Sequence, residues 1–161
     1  MRLHTLLARI TLRADAADDL LQELFLKLSR SPGFMSATQP EAYAHRVAVR
    51  LAFDWRRAQR RERVVTLDGS DVAAGGRAPL ASLAAREELD SVLAGMEALP
   101  TQAQQVLSMR FLEGQSYQAI ADELGCTAHR ARSICHKALT RLRQVVARTT
   151  ADAPDGEPHD A

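Results

Sequence analysis

The stretch at residues 115–143, QSYQAIADELGCTAHRARSICHKALTRLR, decides the fold. Its apolar residues recur at the spacing of one helical face in two successive segments. Ser116 precedes the first segment and Thr127 precedes the second, where a hydroxyl can accept a free backbone N–H of a helix start. Gly125 lies between the segments, where helices commonly end in a left-handed residue. The stretch therefore predicts a helix-turn-helix, whose second helix typically enters the major groove of DNA.

The second predicted helix is basic outside its apolar face. Arginine can hydrogen-bond guanine through two N–H groups, and lysine and serine can hold phosphates. An amphipathic hairpin with an ordinary solvated basic face would show the same pattern, but the basic helix favours DNA binding. The predicted DNA contacts in this stretch are Thr127, His129, Arg130, Arg132, Ser133, His136 and Lys137.

Composition points to a helical protein. The chain has 161 residues, of which 4% are aromatic, and few aromatics with abundant Ala and Leu favour helical bundles over sheets. No apolar run approaches the ~20 residues of a membrane span. The apolar residues 6–12 are interrupted by Arg9, so no signal-peptide core is predicted. We expect a cytoplasmic, all-α protein without membrane insertion.

Charge is segregated along the chain, although the net charge is only +1. Residues 1–63 carry twelve Lys/Arg and seven Asp/Glu, whereas residues 64–100 carry two and six. Residues 101–148 carry seven and three, and the last thirteen residues carry only four acidic ones. Two basic blocks separated by an acidic connector suit a protein that contacts nucleic acid in two places.

Glycine, proline and charge divide the chain into two small helical domains on a flexible linker. The predicted boundaries are a helical domain at residues 1–63, a linker at 64–82, a helix-turn-helix domain at 83–147 and a disordered tail at 148–161. In the second domain, a helix over 83–99 precedes a capping-box pattern, Thr101 to Gln104.

The first domain is predicted to contain three helices, over residues 2–13, 16–28 and 40–61, with a loop at 29–39. Asp15 is the expected cap of the second helix. The apolar positions of that helix are Leu20, Leu21, Leu24, Phe25 and Leu28, and its acidic polar patch is Asp18, Asp19, Gln22 and Glu23. Such a patch is usually solvated surface, but it would also suit a basic partner.

The third predicted helix carries arginines at helical spacing and ends in the run RRAQRRER at residues 56–63. A solvated helix end favoured by the helix dipole is one explanation. Phosphate contact is the interpretation we favour. The predicted DNA contacts here are Arg46, Arg50, Arg57, Arg60 and Arg61.

The two cysteines, Cys126 and Cys135, lie in the helix-turn-helix beside His129 and His136. Their spacing does not match structural zinc sites. Cys135 also falls on the apolar face. We therefore interpret both as small buried thiols and predict neither a metal site nor a cofactor.

Several segments, in order, resemble the extracytoplasmic-function (ECF) subfamily of bacterial RNA polymerase sigma factors. They are DDLLQELFLKL at residues 18–28, PEAY at 40–43 with DWRR at 54–57, LP at 99–100 and YQAIADELG at 117–125. The resemblance covers roughly residues 10–145, without the linker.

The resemblance implies partners and roles. Core RNA polymerase would bind Asp19, Gln22 and Glu23, which explains an acidic patch on a basic domain. The 40–61 helix and the loop before it would melt and bind the minus-ten promoter element, and the helix-turn-helix would bind the minus-thirty-five element. An anti-sigma protein is the family's common inhibitor, and nothing in this sequence identifies one.

The sequence departs from the family pattern in places. Arg50 stands where the family usually has Asn, Tyr43 where it has Trp, and Ile134 where an Arg of the second helix is expected. These changes bear on the promoter sequence rather than on the architecture.

Two other classes of protein also contain a helix-turn-helix. A dimeric helix-turn-helix regulator would need no polymerase-docking patch and would bind a palindrome. A site-specific recombinase would need a nucleophile in an α/β domain, yet Ser29, Ser31 and Ser36 share one loop without a His or acid arrangement. We therefore predict that the chain is not an enzyme, with no catalytic residue.

Overall fold

The computed structural model describes residues 2–66 and 80–151. These residues form eight α-helices and one π-helical turn, and no strand occurs among them. The all-α prediction is confirmed. The elements are α1 (Arg2–Thr11), α2 (Ala14–Ser29), α3 (Pro32–Met35), α4 (Pro40–Thr66), α5 (Leu80–Met96), α6 (Thr101–Leu107), the π-helical turn (Ser108–Leu112), α7 (Tyr117–Leu124) and α8 (Ala128–Ala151).

The helix-turn-helix has the predicted caps. The Ser116 side chain accepts a hydrogen bond from the Ala119 N–H at 3.1 Å, and Thr127 Oγ1 accepts one from the Arg130 N–H at 3.2 Å. Gly125 is left-handed with φ of 63°, a conformation that costs a residue with a Cβ about 1–2 kcal/mol. The first helix, α7, therefore stops at Leu124 and the chain turns directly into α8.

The long helix α4 is buried on more than the one face that its sequence pattern indicated. It packs against α1 and α2, and it also packs against α6 from the other end of the chain. Ala48 and Ala52 are fully buried, and so are Val49 and Phe53 on an adjoining side of the helix. A helix between two layers needs apolar residues on both of the sides that it buries. This helix is therefore central to the fold, with its exposed polar face confined to a narrower stripe that includes Arg46, Arg50 and Asp54.

Three local predictions in the N-terminal part were wrong. The N-cap of α2 is Arg13 rather than Asp15, and the Asp15 carboxylate instead pairs with the Arg13 guanidinium. Leu21 and Phe25 are exposed, so α2 buries Ala16, Ala17, Leu20 and Leu24 instead. The predicted loop contains the short helix α3, which Ser31 caps by accepting from the Phe34 N–H at 3.2 Å.

The capping box predicted before α6 was also wrong. The N-cap is Pro100, with no side-chain cap hydrogen bond. Gln104 is buried and its amide donates to the Met96 carbonyl at 3.0 Å. The side chain thus closes the turn between α5 and α6 rather than the start of α6.

The predicted linker falls mostly on residues 67–79, outside the described residues. Its two ends lie in helices, since α4 continues to Thr66 and α5 begins at Leu80. The helix α8 continues to Ala151, into the segment predicted as a tail, and residues 152–161 lie outside the described part.

Residues 2–66, here the N-terminal half, pack against residues 80–151, here the C-terminal half. One cluster of buried side chains runs through both, from Leu6 and Phe53 to Leu93, Val106 and Ile120. Gln105, which is buried, donates its side-chain amide to the Ala42 carbonyl at 3.1 Å. Because Ile120 of α7 belongs to this cluster, the helix-turn-helix packs against the N-terminal half.

Candidate polymerase-docking and DNA-binding surfaces

The predicted docking residues lie together on the outer face of α2. Asp19, Gln22 and Glu23 are exposed, and their spacing of three and four residues makes them neighbours on one helical face. Glu23 forms an i,i+4 ion pair with Lys27 at 3.2 Å. Surface pairs of this kind contribute little to stability, so these side chains are available for a partner.

Large apolar side chains flank the carboxylates on the same surface. Phe25 is 72% exposed, Leu26 is 51% exposed and Leu21 beside them is 36% exposed. An exposed aromatic group with a polar surround is typical of a protein-binding surface. The sequence pattern had assigned Phe25 to the core because it occurs at helical spacing, and only its exposure distinguishes it.

The corner between α3 and α4 brings two aromatic rings together. The ring centroids of Phe34 and Tyr43 are 6.0 Å apart, and the Tyr43 hydroxyl lies 3.0 Å from Ser31 Oγ. A groove of about 370 Å³ opens beside Phe34, whereas Met35 is 79% exposed and stands apart from it. The groove is lined by Arg2, Leu3, Phe34, Pro40, Glu41, Ala44, His45 and Glu123.

The arginines predicted to contact DNA from α4 fall into two groups. Arg46, Arg50 and Arg61 are exposed, and Arg50 makes only a long pair with Asp54 at 3.7 Å. Arg57 pairs with Asp54 and also donates to the Glu97 carbonyl at 3.0 Å. Arg60 lies 3.3 Å from the Glu97 carboxylate. Two of the five predicted side chains are therefore engaged by the C-terminal half.

Arg56, in the same basic run, is a buried structural residue. Its side chain is 5% exposed and contacts Asp90 Oδ1 at 2.7 Å and Glu97 Oε1 at 3.1 Å. It also donates to the Ile10 carbonyl at 3.2 Å. The basic run RRAQRRER thus contains both exposed arginines and one buried arginine. The composition of the run did not show which of its arginines would be buried.

The outer face of α8 carries the predicted recognition residues. His129, Arg130, Arg132, His136 and Lys137 are exposed, with Thr127 exposed at the helix start and Ser133 half-buried. Ile134, by contrast, is half-buried against the core cluster. His129, Arg132 and His136 recur at intervals of three and four residues, and Arg130 and Lys137 lie two turns apart beside them. These residues therefore share the side of the helix that faces solvent, here called the basic stripe.

Tyr117 links α7 to this stripe. The Arg132 guanidinium lies 5.3 Å from the centre of its ring, and the Arg110 guanidinium lies 4.9 Å from it. Its hydroxyl donates to Cys135 Sγ at 3.5 Å, and that hydrogen bond, with burial, raises the pKa of Tyr117. Cation–π contacts of this kind restrict the guanidinium, so both arginines are held against Tyr117. Arg110 is half-buried and also donates to the Gln115 carbonyl at 2.7 Å, and the sequence analysis had not identified it.

Comparison with known families assigns both parts of the chain. The model described as Sigma-70 region 2 matches residues 2–62, and the model described as Sigma-70, region 4 matches residues 95–144. Together they account for more than half of the chain. The chain belongs to the sigma-70 family. The region 2 match includes the predicted docking residues of α2 and the five arginines of α4 predicted to contact DNA, and the region 4 match includes residues 115–143.

One named relative indicates which type of sigma factor the chain is similar to. The chain is 26% identical over 153 residues to the protein named ECF RNA polymerase sigma factor SigE of Mycolicibacterium smegmatis. The match covers 94% of this chain and 60% of that protein's length. The resemblance to ECF sigma factors drawn from the sequence motifs is confirmed.

Two other kinds of feature are absent from the described residues. No helix there is long and apolar enough to cross a membrane. No group of three or more His, Cys, Asp or Glu side chains in residues 2–66 and 80–151 is arranged to hold a metal ion. Cys135 is buried and Cys126 is half-buried.

Proposed function

We propose that this sigma-70-family chain binds core RNA polymerase through α2 and directs it to specific promoters with α4 and α8. The observation that carries the proposal is the outer face of α2, where carboxylates and Phe25 are exposed together. Such a face has no role within the described fold. A dimeric regulator that acts without polymerase would not need it.

The proposed docking contact joins charge with apolar burial. Asp19 and Glu23 would meet basic side chains of the polymerase, which steers association and sets orientation. Phe25, as an exposed aromatic group, would supply most of the affinity by filling an apolar pocket of the partner.

The proposed minus-ten contact combines cations with aromatic rings. Arg46, Arg50 and Arg61 supply positive charge along α4 for the phosphates. Phe34 and Tyr43 stand at the end of that helix, beside the groove. Unstacked bases of a melted strand bind by stacking on such rings, so this corner is where we place a separated strand.

The proposed minus-thirty-five contact is made by α8 in duplex DNA. Arg130 and Arg132 would contact base edges or phosphates in the major groove, and the Tyr117 ring would limit how Arg132 can turn. Ile134 is half-buried and contributes packing. Sequence preference at this element is therefore attributed to the exposed residues, including His129, rather than to position 134.

The decisive experiment is reconstitution with core polymerase on genomic DNA, with run-off products sequenced. The chain should copurify with core polymerase and direct transcription from a defined set of start sites. Asp19→Ala with Glu23→Ala, and Phe25→Ala alone, should each weaken polymerase binding about tenfold or more while thermal unfolding is unchanged, because all three side chains are exposed.

The matched control is Glu87→Ala with Glu88→Ala, which removes the same charge from exposed positions of α5. Equal affinity of the docking variants and this control would refute the assignment of α2. Tight binding of a palindromic duplex by two copies of the chain without polymerase would favour the dimeric regulator instead. Arg130→Ala with Arg132→Ala should lower run-off product, with Arg143→Ala as an exposed control on α8.

A further inference from the structure

Two exposed arginines near the start of α8 differ in how their guanidinium groups are held. Arg130 and Arg132 lie two residues apart and both face solvent. The Arg132 guanidinium lies 5.3 Å from the centre of the Tyr117 ring. The Arg130 side chain, by contrast, has no partner within residues 2–66 and 80–151. Of these two side chains, it is therefore Arg132 that is restricted before any DNA is bound.

The Tyr117 ring is itself fixed through its hydroxyl. Tyr117 is the first residue of α7, and its hydroxyl donates to Cys135 Sγ at 3.5 Å. The Cys135 side chain is fully buried, so water does not compete with the hydroxyl for this acceptor. Cys135 follows Arg132 by three residues on α8, which places the two on one side of the helix. One ring therefore reaches both of them.

Arg110 supports the same ring from the segment before α7. Its guanidinium lies 4.9 Å from the centre of the Tyr117 ring and donates to the Gln115 carbonyl at 2.7 Å. Arg110 is half-buried, whereas Arg132 is exposed. The cluster thus consists of an inner part that holds the ring and one outer guanidinium that DNA can reach. All of its members belong to the C-terminal half.

We propose that Tyr117, anchored on Cys135, is a positioning residue that makes Arg132 a base-reading side chain, whereas Arg130 attracts DNA with little dependence on sequence. The inference rests on the proposed binding of the minus-thirty-five element by α8. A guanidinium that reads guanine must place two N–H groups on two acceptors at once. A side chain that is already held loses less conformational freedom in doing so. Phosphate contacts carry no sequence information directly, so they do not require a guanidinium that is held in advance.

The first test needs no DNA. In the full ¹⁵N-labelled chain, the heteronuclear NOE of each arginine Nε–H measures how rigidly its guanidinium is held, and Arg130→Lys and Arg132→Lys assign the two signals. We expect a higher value for Arg132 than for Arg130. In Tyr117→Leu, the value for Arg132 should fall to that of Arg130. Equal values in the wild type would overturn the proposal, whether or not the leucine variant folds.

The second test is a double-mutant cycle with core polymerase on a promoter duplex recovered by run-off sequencing. Tyr117→Leu should weaken binding about three- to tenfold, because the cost of ordering one arginine returns. In an Arg132→Ala background the same replacement should weaken binding less than about twofold. In an Arg130→Ala background it should keep its full effect. Equal effects in the two backgrounds would refute the positioning of Arg132.

Duplexes that carry each single-base change in the minus-thirty-five element separate positioning from a merely structural role. Tyr117→Leu should lose discrimination at the base pair where Arg132→Ala also loses it, and retain discrimination at the others. A uniform loss at every position would show that Tyr117 only supports the fold, and would overturn the proposal.

Variants of the thiol test the anchor. Cys135→Ala removes the acceptor and should lower the NOE of Arg132, whereas Cys135→Ser keeps an acceptor and should restore it. The matched control is Cys126→Ala, which removes the half-buried thiol and should leave the NOE of Arg132 unchanged. An effect of Cys135→Ala no larger than that of the control would refute the anchor. Absence of run-off product from the wild type would instead refute the proposed function, and the NOE comparison would still decide whether Tyr117 holds Arg132.

Discussion

Replacement of Arg56 by methionine should destabilise the chain far more than any other single change in the basic run of α4. The guanidinium donates to Glu97, Asp90 and the Ile10 carbonyl, and its side chain is 5% exposed. Methionine keeps the aliphatic part and removes every one of these hydrogen bonds.

The size of the loss in unfolding free energy depends on whether Asp90 and Glu97 find other partners once the guanidinium is gone. Removing one member of a buried ion pair costs about 3–5 kcal/mol. The Asp90 side chain is 48% exposed and can regain water, and Glu97 keeps Arg60, so the lower end applies. We expect a loss of about 3 kcal/mol in the free energy of unfolding, which for a chain of this size lowers Tm by about 6–12 °C.

The assay is thermal and urea unfolding followed by circular dichroism, with Arg61→Met as the control. Arg61 is exposed, so its replacement should change the unfolding free energy by less than about 0.5 kcal/mol. Unfolding free energies of the two variants within 1 kcal/mol of each other would refute the buried ion pair.

Two further predictions concern the same fold. Burial opposes ionisation of Glu113, but hydrogen bonds from His45 and Arg2 outweigh this effect and lower the pKa of Glu113 below its ordinary 4.5. The ionised Glu113 carboxylate therefore stabilises the fold above about pH 4.5, and this stabilisation is lost as the pH falls through the lowered pKa. Glu113→Gln should be less stable than the wild type at pH 7 and lose less stability on acidification, and parallel acid titrations of the two would contradict this. Gly125→Ala and Gly114→Ala should each cost about 1 kcal/mol in urea unfolding, because both positions have positive φ. The cost should be greater at Gly125, since an added Cβ would lie 2.9 Å from the Gln39 amide; a larger loss at Gly114 would contradict the contact.

The caps of the helix-turn-helix were predictable from the sequence, whereas the caps expected at Asp15 and Thr101 were wrong. Ser116, Gly125 and Thr127 were assigned correctly because a helix cap needs only the backbone groups within one turn. The apolar stripe of α8, from Ala131 to Leu142, was correct for the same reason. The spacing of these apolar residues follows from the 3.6-residue turn of the helix. Because one side of a helix-turn-helix must be buried, that spacing identifies the buried side.

Features that depend on distant residues were not predictable. Whether Phe25 or Phe53 faces solvent is decided by which helices pack on α2 and α4, and both residues occur at plausible helical spacing. The burial of Arg56 requires Asp90 and Glu97, which lie more than thirty residues away along the chain. Hydrophobic periodicity contains no information about such a partner.

The arginines of α4 therefore cannot be tested as a group. Arg61 is exposed, so its loss should only weaken phosphate contact and reduce the dependence of DNA binding on salt. Loss of Arg60 would remove a proposed phosphate contact and also one of the two arginine contacts of the Glu97 carboxylate, which keeps Arg56. A combined replacement of Arg57, Arg60 and Arg61 would thus change the proposed contacts with DNA and the contacts with Glu97 at the same time. Only single replacements, measured for the free chain and again with polymerase, separate the contact with DNA from the contact between the halves.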